Sequence, residues 1–102
     1  MFRAIGTFAL VISILLAASR AAVAADVTKG AQLARQWCAN CHVVDDSGSA
    51  TVQQGPPNFR SIGLTGDQLR TFLTHPHGAM PDFALSRNEI EDVIAYIETL
   101  RH

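Results

Sequence analysis

The sequence predicts an all-α fold of three short helices separated by two loops. Three observations carry this. Thr65-Gly66-Asp67-Gln68 and Ser86-Arg87-Asn88-Glu89 are capping boxes, each a hydroxyl followed three residues later by Gln or Glu. Apolar residues recur at helical spacing over 26–41 and 90–100. The stretch between the first two helices holds no alternating run long enough for a strand.

The chain of 102 residues opens on MFRAIGTFALVISILLAASRAAVAA, in which 19 of 25 residues are apolar. Arg3 in a basic start, an apolar run from Ala4 to Ala18 and small residues at the end read as a cleaved secretory signal peptide over 1–25. Val23 and Ala25 fit a cut before Asp26, and Ala22 and Ala24 fit a cut one residue earlier. The other reading is an uncleaved membrane anchor. An apolar run of 15 residues falls short of the ~20 that a span needs, and Arg20 interrupts it.

A cut before Asp26 leaves 77 residues, 26–102, of which 30 are apolar. Six basic residues against nine acidic ones give a formal charge of −3, where the whole chain carries −1. A chain this small is one domain, which excludes a multidomain enzyme. It supplies little core of its own and calls for a disulfide, a metal, a cofactor or a partner. The only Lys is Lys29 and no Lys/Arg cluster exists, so a nucleic-acid binder is excluded.

The first helix is predicted over Asp26–Cys41, with Asp26 as its N-cap and Val27, Gly30, Ala34, Trp37, Cys38 and Cys41 at helical spacing. Residues 43–63 are rich in Gly, Ser, Asp and Pro and read as a long loop, a length usually tied to function. Thr65 opens the middle helix, which carries Leu69, Phe72 and Leu73 and must end before Pro76. Ser86 opens the last helix. Its stripe is Ile90, Val93, Ile94, Ile97 and Leu100, with Glu91, Asp92, Glu98 and Arg101 mostly elsewhere.

Cys38-Ala39-Asn40-Cys41-His42 is C-x-x-C-H, the attachment sequence for c-type haem. On a helix two thiols three positions apart share a face and can add to two vinyl groups along one side of a porphyrin. The next residue then places an imidazole under the ring. Rival readings fit less well. A thioredoxin-like dithiol comes with a βαβ pattern that is not visible here. A structural zinc site wants four ligands, and no second Cys pair exists. A disulfide between these two residues would staple little. The export signal agrees with haem, which is attached outside the cytoplasmic membrane.

Candidates for a second iron ligand are Met80, His75, His77 and His102. Met80 is the only Met left after cleavage, in the small-residue, Pro-stiffened loop Gly78-Ala79-Met80-Pro81-Asp82-Phe83. No helix is predicted there, so a core stripe does not account for it, and Met80 is assigned. A His42/Met80 pair fills both axial positions, which suits one-electron transfer, and a thioether raises the potential relative to two imidazoles. The Nδ1–H of His42 needs an acceptor, and Gly55-Pro56-Pro57-Asn58-Phe59 is the best rigid candidate.

These residues resemble the class I cytochrome c family, in its small bacterial monohaem form, over essentially the whole of 26–102. The resemblance implies the all-α cytochrome c fold. Its N- and C-terminal helices cross, and a short middle helix and loops wrap one covalently attached haem c. Gly30, eight before Cys38, matches the family Gly that lets the terminal helices approach, and Tyr96 matches the aromatic at that crossing. Pro57 matches the Pro whose carbonyl holds the proximal His, with Pro56 as the other possibility, and Phe59 takes a haem-packing place. Ala34 stands where the family often has an aromatic, and Trp37 fills that space or packs on the haem edge. The Lys ring of mitochondrial members is missing.

Twelve residues are expected as haem walls: Leu33, Trp37, Phe59, Ile62, Leu64, Leu69, Phe72, Leu73, Phe83, Leu85, Ile94 and Ile97. Burying them cannot offset the entropy of ordering the chain, so the haem-free protein is expected to be largely unfolded. Arg60 is a candidate partner for a haem propionate. The implied function is a periplasmic one-electron carrier and not an enzyme, either free-standing or the small electron-transfer subunit of a periplasmic dehydrogenase. Its partners would be a dehydrogenase, oxidase or reductase, with a basic docking face to meet the acidic chain. The expected state is a monomer or a subunit of a hetero-complex, with membrane contact only if the signal stays on. A haem enzyme or gas sensor with a displaceable sixth ligand is the alternative, and a thiol–disulfide oxidoreductase a further one.

Overall fold

In the computed structural model, residues 24–51 and 53–101 are described; the signal-peptide reading and His102 fall on residues outside them. Helix α1 spans Val27–Leu33 and runs on into a wide π-helical turn, Ala34–Cys38. A 3₁₀ turn, Phe59–Ser61, sits in the long loop. Helix α2 spans Gly66–Thr74 and α3 spans Arg87–Leu100. None of the described residues is in a strand, and no described helix is long and apolar enough to cross a membrane.

The starts follow the sequence. Asp26 accepts from the Lys29 backbone N–H at 3.0 Å. Both capping boxes form: Thr65 with Gln68 and Ser86 with Glu89 each exchange two bonds between side chain and backbone. Helix α2 stops at Thr74, since His75 precedes a proline and is pushed out of helical backbone, at φ −136° and ψ 72°. The first helix is shorter than predicted. The Ala39 N–H bonds back to Ala34 O at 2.9 Å, a five-residue span that widens the coil. Helical backbone therefore ends at Cys38. Cys38–His42 form a hydrogen-bonded turn in which Cys38 O accepts from Cys41 N and His42 N.

Helices α1 and α3 cross at Gly30. A Cβ there would stand 1.9 Å from Asp92 O and 2.9 Å from Tyr96 Cβ, so only hydrogen permits this approach. Around the crossing the buried core is Ala34, Ile90, Val93, Ile94 and Ile97, joined by Leu69 of α2 and by Cys38, Val44 and Phe59 from turn and loop. Asp92 corrects the sequence reading. It lies under α1, 8% exposed, and accepts from the Asp26 backbone N–H at 2.7 Å. Helix α2 is tied to α3 by Arg70, whose guanidinium grips both carboxylate oxygens of Glu91 and also meets Asp67. That grip holds the Glu91 carboxyl below the usual carboxylate range.

A side chain at position 30 must force the two helix backbones away from each other. Gly30→Ala is expected to cost about 1–3 kcal/mol and lower Tm by roughly 5–20 °C, read by thermal unfolding followed by circular dichroism.

Candidate functional site

The crossing leaves one face of α3 open beside the loops, and a cavity of about 700 Å³ forms there. Its floor is Val93 and Ile97 of α3, with Leu69, Phe72 and Leu73 of α2 beside them. Ligand cavities typically run 300–1,000 Å³ with mostly apolar walls and few polar groups, and this one conforms.

The attachment, ligand and ring-packing residues named from the sequence line this cavity: Trp37, Cys38, Cys41, His42, Pro57, Phe59 and Met80. The end of α1 delivers the first four. Cys38 is buried and Cys41 exposed, and neither thiol is in a disulfide. Burial pushes the Cys38 thiol up. The Nδ1–H of His42 donates to Pro57 O at 2.7 Å. This carbonyl is that of Pro57, not Pro56, although Pro56 also lines the cavity. With Nδ1 engaged, Nε2 is the nitrogen left to bind a metal.

Phe59 is 4% exposed and tilts against the His42 ring at 5.7 Å. On its other side Tyr96 lies at 6.4 Å. Trp37 is 40% exposed and packs on Phe83, with centroids 5.6 Å apart, so it forms a rim with the Met80 loop. That loop turns at Gly78, φ +75°, and is bracketed by Pro76 and Pro81. Beyond it the Asp82 carboxylate accepts from Ala84 N at 2.7 Å and leads the chain to the α3 cap.

Three expected walls lie elsewhere. Leu33 of α1 and Ile94 of α3 pack in or against the core, Leu85 packs against it from the loop before the Ser86 cap, and none of the three lines the cavity. His77 lines the cavity and meets Phe72 edge-on at 4.9 Å; His75 ends α2 outside it. Arg60 engages the long loop through one terminal nitrogen, while its Nε is buried without a partner. It donates to the carbonyls of Asp46 and Gly48, each at 3.2 Å, and so gathers the loop. The sequence reading missed Arg101, which donates to Ile62 O at 3.3 Å and to Leu64 O behind the cavity wall. It also missed the target of Tyr96, whose hydroxyl donates to Val44 O at 2.6 Å, two residues after His42.

The residues present fit a haem: a porphyrin-sized apolar cavity, two uncommitted thiols at one mouth and an imidazole with Nδ1 held and Nε2 free. A thioether in the cavity wall completes the set.

Comparison with known proteins gives the same direction. The family described as "Cytochrome C oxidase, cbb3-type, subunit III" matches residues 25–97. A protein named cytochrome c-552 from Bradyrhizobium diazoefficiens is 45% identical over 87 residues, covering 81% of this chain and 83% of the relative. Cytochrome c6 from Thermosynechococcus vestitus is 31% identical over 103 residues, covering 93% of this chain and 88% of the relative. No solved structure gives a significant match.

The Tyr96–Val44 bond anchors the stretch of chain that leaves His42. Burial pushes the Tyr96 phenol up, which keeps the hydroxyl a donor across the neutral range. Tyr96→Phe is expected to cost about 0.5–1.5 kcal/mol, measured as a lower guanidinium midpoint with an unchanged slope.

Proposed function

The chain belongs to the c-type cytochrome family, whose haem c is covalently bound and carries electrons, and from that premise we propose the assignments that follow. Cys38 and Cys41 would hold the haem through thioethers, His42 Nε2 and Met80 Sδ would bind its iron, and the protein works in the periplasm after its signal is removed. The single observation that supports this most is the cavity. It gathers both thiols, the imidazole anchored on Pro57 O at 2.7 Å and the only Met of 26–102 around one apolar space.

Bound haem supplies a one-electron ferric/ferrous couple. The chain's residues set the conditions for it. Pro57 O fixes the tautomer and plane of His42 and raises its basicity. Met80, on a loop stiffened by Pro76 and Pro81, offers a soft ligand that favours the ferrous state. Leu69, Phe72, Val93 and Ile97 exclude water from the interior, so a change of charge meets fixed neighbours rather than mobile solvent. Two protein ligands leave no position for a substrate, which makes the protein a carrier, free-standing or as the electron-transfer subunit of a dehydrogenase.

The protein made with a haem-attachment system is expected to weigh the chain from its cut site plus one haem, and the colour should survive acid–acetone extraction. Its oxidised spectrum should show the sulfur–iron charge-transfer band. Met80→Ala should abolish the band and Met80→His should lower the potential. A band that persists in Met80→Ala would contradict the ligand assignment and favour the open-site alternative.

A further inference from the structure

The charged groups at the start of α1 form a small site that electron transfer does not use. Asp92 on α3 is more than nine-tenths buried under α1. Among the described residues its carboxylate is in ion-pair contact with no Lys, Arg or His side chain. Its hydrogen-bond partner is the main-chain nitrogen of Asp26, at 2.7 Å. One oxygen of this carboxylate takes the Asp26 N–H at 2.7 Å and the other keeps access to water, so a full positive charge on that nitrogen would strengthen the contact.

That nitrogen has a second property, legible only in the sequence. Val23 and Ala25 fit a signal-peptidase cut at the Ala25–Asp26 bond. The peptidase adds water across this bond. Ala25 leaves with the carboxylate, and Asp26 keeps the amine, which takes up a proton at neutral pH. The atom already seated on Asp92 thereby becomes an α-ammonium.

We propose that Asp92 is a built acceptor for the mature N-terminal α-ammonium, so that removal of the signal creates the ion pair that locks α1 onto α3. The proposal rests on the export reading and deepens it, since it selects the cut before Asp26 over the cut before Ala25. A chain beginning at Ala25 would present Asp92 with the same neutral amide as the precursor.

The surroundings suit a cation. Asp26's own carboxylate lies beside the nitrogen, capping Lys29 N. On the facing helix Asp92 and Glu89 are both acidic. The neighbouring positive charges are Lys29, which acts on Glu89, and Arg35 further along, which acts on Tyr96. Asp26 and Asp92 outweigh the unfavourable end of the helix dipole at this nitrogen.

A proton bound more tightly in the folded state raises the α-amine pKa above its ordinary value of about 7.7–8.0. The stabilisation it brings is complete below that ordinary value and is lost as pH rises through the raised one.

The test uses haem-loaded protein in two forms, one starting at Asp26 and one at Ala25, prepared with defined N-termini. The Asp26 form should have a higher guanidinium midpoint at pH 6.5, and the difference should vanish above about pH 10, where the amine is neutral. Asp92→Asn should remove the difference. The α-amine of the Asp26 form, followed by ¹⁵N NMR, should titrate about one unit higher than in the Asp92→Asn protein, a tenfold tighter proton. If Asp92→Asn fails to fold, the comparison is made with the same amine in guanidinium-unfolded protein. Equal midpoints at every pH, or an α-amine with an ordinary pKa, would overturn the ion pair. Intact mass of the exported protein tests processing separately: a terminus anywhere but Asp26 would overturn that half. Haem content, read from absorbance, stands apart from both.

Discussion

Where α1 crosses α3 the two backbones touch, because position 30 carries no side chain and the Asp92 carbonyl would sit 1.9 Å from any Cβ placed there. What this contact arranges is larger than itself. It buries Val93, Ile94 and Ile97 against Ala34, and it fixes the direction in which α1 ends. The wide turn at Ala34–Cys38 then swings the chain off the helix axis, so Cys38, Cys41 and His42 arrive together at the edge of the cavity that α3 floors. Had the helices stood farther apart, the end of α1 would not aim at that space.

The loops are held to this frame mainly through backbone carbonyls. Arg60 gathers Asp46 and Gly48, Arg101 gathers Ile62 and Leu64, and Tyr96 takes Val44. Phe59 N–H returns to Val43 O at 2.9 Å and seats the Phe59 ring between His42 and Tyr96. Pro57 lies two residues before Phe59, so the bond that sets the His42 tautomer is one more tie in the same set. A long loop with little regular structure is in this way ordered by a few long side chains, which costs less core than a fourth helix would need.

Local signals in the sequence were enough for the helix starts, since a capping box is a contact between residues three apart. They were enough for the end of α2, since a proline acts on its neighbour. The C-x-x-C-H motif and the isolated Met80 stand out in the sequence because few residue types can bind a metal, and both line the cavity. What could not be read depends on tertiary placement. Asp92 lies off α3's apolar stripe in the sequence, yet α1 covers it. Leu33 and Ile94 are apolar on their helices, but periodicity does not say whether a face meets a helix or a cavity, and Leu85 lies in a loop with no period to read. Arg60 and Arg101 reach carbonyls distant in the chain, which no spacing rule encodes. The widened turn before Cys38 likewise has no signature in ARQWC.

The central claim is that one thioether completes the haem site, and a single labelled group reports on it. Met80 is the only methionine of residues 26–102. In the reduced protein carrying ¹³C-methyl methionine, the methyl next to an Sδ that held the iron would be shifted strongly upfield by the ring current of the macrocycle. A single methyl resonance far upfield of the free-methionine position is the predicted result. A Met80 methyl at its ordinary free position would contradict the account.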